Sequence, residues 1–176
     1  FYDRLGRLEQ LEDTDRAVVR FNQGLAHYRR ARETLRKQER IERLPQNQQA
    51  SLELDYDQTP RADFAKVKEI LRGYGTLYPQ SPYVPESHYL LALTFEQLNQ
   101  DEESIKELLV LLREAYFNPE LILNLESTRA KGDRDYATIN ELKGIWNFWK
   151  KKTGNYLANK FFENAEYFNA YRIYSA

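Results

Sequence analysis

The sequence contains no cysteine and no methionine, and only seven glycines and six prolines among 176 residues. Without cysteine there is no disulfide framework and no thiolate metal site. There is no glycine-rich phosphate loop either, because Gly73 and Gly75 stand within an apolar helical pattern rather than between a strand and a helix. No Ser-His-Asp or His-Glu-x-x-His arrangement is present, and His27 and His88 each lack a second ligand at i+3 or i+4. Neither a metal site, a cofactor nor enzymatic activity is expected. A net charge of −1 gives no bulk attraction for nucleic acid. No apolar run approaches the roughly 20 residues that span a bilayer.

What is present is ordinary for a packed domain in two respects and unusual in a third. Hydrophobic residues make up 41% and charged residues 30%, enough to bury a core. Aromatics reach 14%, with 13 tyrosines, which suits the large filler positions of packed helices or else an aromatic-lined groove. Residues 26–44 carry seven Arg or Lys against three Glu, most simply a solvated helix face laced by Glu33, Glu39 and Glu42. Lys150, Lys151 and Lys152 are expected at a helix C-terminal end, where cations meet the dipole.

Two segments repeat one spacing. In YLLALTFEQLNQDEESIKELL the residues Leu91, Ala92, Phe95, Ser104 and Leu108 hold the same relative places as Leu157, Ala158, Phe161, Ala170 and Tyr174 in YLANKFFENAEYFNAYRIY. Leu-Ala-x-x-Phe puts three residues at i, i+1 and i+4 on one side of a helix. The small residue twelve positions later, Ser104 or Ala170, lets a second helix approach Ala92 or Ala158 closely. Between the paired helices stand short polar turns, Asn99-Gln100-Asp101 and Glu163-Asn164-Ala165-Glu166, with Asp101 as the expected N-cap.

This pattern resembles the tetratricopeptide repeat, a helical hairpin that buries its apolar face by stacking on its neighbours. The resemblance implies an all-α fold: a tetratricopeptide-like helical-hairpin array, a right-handed α-solenoid. Ala92 and Ala158 lie 66 residues apart, twice 33, so a further degenerate unit is expected in residues 118–150. Its turn would be Gly132-Asp133 and its helix would pass through Ile139, Leu142, Ile145, Trp146 and Trp149. Upstream, Val67, Leu71 and Tyr74 give the stripe of another second helix, and Pro79, Pro82 and Pro85 end it and open the next. At the N-terminus Leu5-Gly6, Ala17, Phe21 and Gly24 fit a fifth unit, whose second helix runs on through Tyr28, Leu35 and Ile41 to about Leu44. The expected organisation is therefore a helical hairpin over 1–44, an irregular insertion over 45–60, and the array over 61–176. The chain starts at Phe1 and stops at Ala176 within an expected helix, so it is read as a fragment of a longer chain, with any signal peptide or lipid anchor outside it.

In such arrays the first helix of each hairpin lines a concave, partner-binding face. Carried over by position, that face holds Glu86, Tyr89, Leu93 and Glu96, then Asn155, Asn159 and Phe162. Tyr89 and Phe162 are the expected apolar anchors, with Glu96, Asn155 and Asn159 as polar selectors. Asn159 matches a position of the carboxylate-clamp subtype, but Tyr89 and Leu93 replace polar ones, which argues against a clamp. Residues 78–100, with a Tyr-Pro-x-Ser-Pro linker at 78–82, are similar to bacterial envelope repeat proteins, among them outer-membrane assembly lipoproteins and periplasmic cell-division coordinators. The expectation is a non-catalytic scaffold for a protein or peptide partner. Its expected place is periplasmic or outer-membrane-associated, with the cytoplasm left open. The alternative is a peptide-sensing regulatory domain of a signalling protein.

Overall fold

The computed structural model describes residues 13–45, 48, 59–79, 81–117 and 136–175, with side chains omitted for 114–117 and 136–140. These residues form six helices and one single helical turn, with no strand among them: α1 Asp13–Glu42, α2 Pro60–Leu71, the turn α3 Tyr74–Leu77, α4 Val84–Gln97, α5 Asp101–Phe117, α6 Tyr136–Glu163 and α7 Tyr167–Tyr174. The protein is all-α in this sense. Packing follows chain order: α1 lies on α2, α2 on α4, α4 on α5, α5 and α4 on α6, and α6 on α7.

The sequence stripe of α1 is its buried face. Ala17, Phe21, Gly24 and Ala31 recur at helical spacing and all four are buried. Gly24 has a specific packing reason: a Cβ there would sit 2.7 Å from Cγ and Cδ2 of the fully buried Leu71. Phe21 stacks on Tyr83 with centroids 4.5 Å apart. The Tyr74 hydroxyl donates to the Ala17 carbonyl at 3.0 Å and shares a hydrogen bond with Ser81 Oγ at 2.8 Å, while burial pushes its pKa up to about 12. Arg20 Nε donates to the Ile70 carbonyl at 2.6 Å, satisfying one of the last carbonyls of α2.

Asp63, in the first turn of α2, clamps the same pair of helices. Arg30 on α1 donates Nε to Asp63 Oδ2 at 2.7 Å and Nη2 to Oδ1, and His27 Nδ1 lies 3.0 Å from Oδ1. The Arg30 guanidinium, against opposing desolvation, holds the Asp63 carboxyl below its ordinary value, with His27 adding to the effect. A depressed carboxylate contributes stability that is present above its unfolded pKa of about 3.9 and is lost as pH falls through the lower folded value. Asp63→Asn should therefore cost on the order of 1 kcal/mol at neutral pH. The gap should close as both proteins are acidified below about pH 4, where a protonated Asp resembles Asn. Parallel stability curves from pH 7 to 2 would show that the clamp carries no such linkage.

Helix α4 is buried almost all round because it serves two cores. Leu90, Leu91 and Phe95 join Phe21, Val67, Leu71, Tyr74 and Val84, whereas Tyr89 and Ala92 join Leu108, Leu111, Trp149 and Leu157. The 66-residue offset holds in the backbone. The turn after α4 places Asn99 at φ 59, and the turn after α6 places Ala165 at φ 60. Gln100 N–H donates to the Phe95 carbonyl at 2.8 Å, and Glu166 N–H to the Phe161 carbonyl at 2.8 Å. Both are the long closing bond of a Schellman-type helix end. Equivalent positions share burial as well: Ser87 and Thr153, Leu91 and Leu157, Ala92 and Ala158, Ser104 and Ala170.

Several expectations change. Asp101 is the first residue of α5 rather than its cap, so its carboxylate acts on the helix N-terminus from inside the first turn. The stripe through Leu71 and Tyr74 is not one helix, because α2 stops at Leu71 and Gly73 turns the chain at φ 70 before the single turn α3. α6 runs without a break through Trp149 and Tyr156, so Lys150, Lys151 and Lys152 lie in mid-helix rather than at a C-terminal end, and no turn divides 136–150 from the last hairpin. Nothing in 150–155 stops the helix: no proline occurs there, and Gly154 is tolerated in the helix. α1 ends at Glu42, two residues before the expected end. Leu5-Gly6, Gly132-Asp133 and nearly all of the 45–60 insertion lie outside the described residues.

Candidate interaction surfaces

The expected partner-binding face divides into a covered half and an open half. On α4, Tyr89 is only 8% exposed. Its ring lies 5.1 Å from that of Trp149 and 6.0 Å, edge-on, from that of Tyr156, and the Lys152 ammonium sits 4.8 Å from its centroid. Leu93 packs against the same core. Glu96 accepts from the Tyr156 hydroxyl, from Lys160 Nζ at 2.7 Å and from Ser104 Oγ at 3.2 Å. Burial, then Glu96, raises the Tyr156 pKa; burial alone would lower that of the Lys160 ammonium, but the hydrogen bond and charge of Glu96 raise it. Glu86, half-buried, has its carboxyl raised by burial against the opposing pull of Lys152 and Arg29. Tyr89 and Glu96 thus face α6 and are not a free anchor and selector, and Leu93 is part of the same packing.

Asn155, Asn159 and Phe162 are the 66-residue equivalents of Tyr89, Leu93 and Glu96, and all three are exposed. Among the described residues no helix covers them as α6 covers α4. Phe162 is 61% exposed and meets Tyr167 edge-on at 5.2 Å. Asn159 Oδ1 accepts from the Tyr174 hydroxyl at 2.7 Å. Tyr174 itself is 58% exposed, although its equivalent Leu108 is fully buried. Tyr167 and Phe168 replace Asp101 and Glu102 of the preceding hairpin, and Tyr171 adds a further uncovered ring. The aromatic character of positions 167 and 168 is legible only by comparing them with 101 and 102.

On the adjoining side α5, α6 and α7 enclose an open groove of about 980 Å³. It is lined by the apolar Leu109, Val110 and Ile173 and the basic Lys106, Arg113, Lys150 and Lys151, and it shares Asn155 and Tyr174 with the aromatic face. Among the described residues that line it, none is a carboxylate. No local pattern marks the groove, because its walls come from three separate segments.

Both histidines have cross-helix carboxylate partners: His27 with Asp63, and His88 Nδ1 with Glu107 Oε2 at 2.6 Å. Among the described residues no cluster of three or more His, Cys, Asp or Glu is placed to hold a metal ion, and no helix is long and apolar enough to cross a membrane. Comparison with protein-family models, with curated proteins and with solved structures gives no match.

Proposed function

We propose that the protein is a non-catalytic interaction scaffold, a tetratricopeptide-like stack of helical hairpins whose last hairpin docks a segment of a partner protein. One observation carries this reading. Hairpins α4–α5 and α6–α7 share turn geometry and buried positions at a constant offset, yet the face that α6 covers on the first is covered by no described element on the second and is rich in aromatics. Aromatic side chains supply most of the energy in such contacts because they bury large area with few rotatable bonds. The partner face accordingly centres on Asn155, Asn159 and Phe162 with the neighbouring α7 rings. Placement in a bacterial envelope assembly rests on the similarity of residues 78–100 to envelope repeat proteins.

The test is site-specific photo-crosslinking in the source cell. A crosslinking side chain at position 162 or 171 should trap one discrete partner, and the same side chain at position 39, on the exposed face of α1, should not. Identical product patterns from all three positions would sink the reading.

A further inference from the structure

We infer that the groove between α5, α6 and α7 receives an acidic amphipathic helix of the partner; this rests on the scaffold reading and gives that partner its chemistry. The first support is the apolar part of the lining. Leu109 is 48% exposed and Val110 36%, apolar side chains left open to solvent along the groove rather than packed in a core. Burial of such surface favours a ligand that is itself apolar on one side.

The second support is charge. Lys106 and Arg113 stand on α5, and Lys150 and Lys151 on α6, while no carboxylate is among the described residues that line the groove. Lys106 is shared with Glu102, 2.9 Å away on its own helix, and Lys150 likewise has an interaction within the chain. A lining that combines cations with exposed apolar side chains selects a partner segment of complementary make-up, an apolar stripe flanked by Asp or Glu. Such complementarity also sets register and speeds encounter.

The third support is dimension. Lys106 and Arg113 are seven residues apart, about 10.5 Å or two helical turns along α5. A helix lying in the groove would match this length with apolar residues at i, i+3 or i+4, and i+7. The groove is bounded by helices on both sides, the setting in which ridges of a third helix pack into grooves.

The probe is a fluorescein-labelled, end-blocked peptide of about 18 residues, long enough to hold helical structure. It carries Leu at i, i+4 and i+7 with Glu on both flanks, and its control carries Lys in place of every Glu. Anisotropy titration with the full chain should show the acidic peptide binding at least about tenfold more tightly than the control, less so as salt rises. The double variant Lys150→Glu/Lys151→Glu should reverse that preference. Leu109→Ser, at an exposed position, should weaken binding about fivefold with unchanged helical content.

Equal affinity for the two peptides, or no binding of either, overturns the inference. So does capture of phosphatidylserine vesicles without peptide binding, or a self-associated dimer that Leu109→Ser dissociates. If the peptide fails while position 162 still traps a discrete partner, the scaffold reading stands and only the acidic-helix inference falls.

Discussion

Leu71→Ala is expected to lower the unfolding free energy by about 2–5 kcal/mol, the range for removing a buried leucine side chain with partial collapse of the site. Leu71 is fully buried where α2 meets α1, in the core that α4 completes. The partner substitution at Gly24 tests the same contact from the other side. In a helix interior Gly→Ala ordinarily gains up to about 1 kcal/mol. Here the new Cβ would stand 2.7 Å from two carbons of Leu71, and overpacking of a tight core costs about 1–3 kcal/mol. The steric cost wins, so Gly24→Ala should destabilise. In the double variant the space vacated at Leu71 accepts the Gly24 methyl, so the combined loss should fall short of the sum by about 0.5–3 kcal/mol. Urea unfolding of the four proteins reads this directly. A stabilised Gly24→Ala variant, or strict additivity, would show that α1 and α2 do not meet at these two residues.

How much of this was legible beforehand follows from the range over which sequence patterns act. Leu-Ala-x-x-Phe is a local spacing, and Leu91, Ala92, Phe95, Leu157 and Ala158 are all buried. The long α1 was likewise readable, since Ala17, Phe21 and Gly24 repeat on one face. Periodicity says which residues share a face but not which neighbour covers it. Tyr89 and Asn155 are equivalent by position, yet Trp149 and Tyr156 lie on Tyr89 while no described element lies on Asn155. The lysine run at 150–152 was misplaced because a helix end was expected there. Instead Lys152 lies in mid-helix with its ammonium 4.3 Å from the Trp149 ring centroid, a favourable cation–π placement. The groove and the histidine–carboxylate pairs join residues far apart in the chain, and no local pattern encodes such meetings.

The distinction between covered and open halves gives the second prediction, a crossed result at Tyr89 and Phe162. As sequence positions the two were interchangeable anchors. In the fold Tyr89 fills the contact between α4 and α6, packed on two aromatic rings beneath the Lys152 ammonium. Tyr89→Ala should therefore cost on the order of 3 kcal/mol of stability, as large aromatic truncations in cores do. Phe162, at 61% exposure, meets Tyr167 edge-on at the surface, so Phe162→Ala should change stability by less than about 0.5 kcal/mol. Binding should respond in the opposite sense. With the crosslinked partner in hand, Phe162→Ala should weaken its affinity by more than about 1 kcal/mol. Tyr89→Ala, compared at a temperature where it remains folded, should change it far less. Thermal unfolding and titration calorimetry on the two variants separate the roles. If Tyr89→Ala unfolds at the wild-type temperature, the α4–α6 contact is not the one that holds the second core together. If instead Phe162→Ala binds as tightly as the parent, the ring is exposed for no reason connected with that partner, and the docking surface must be moved to the groove.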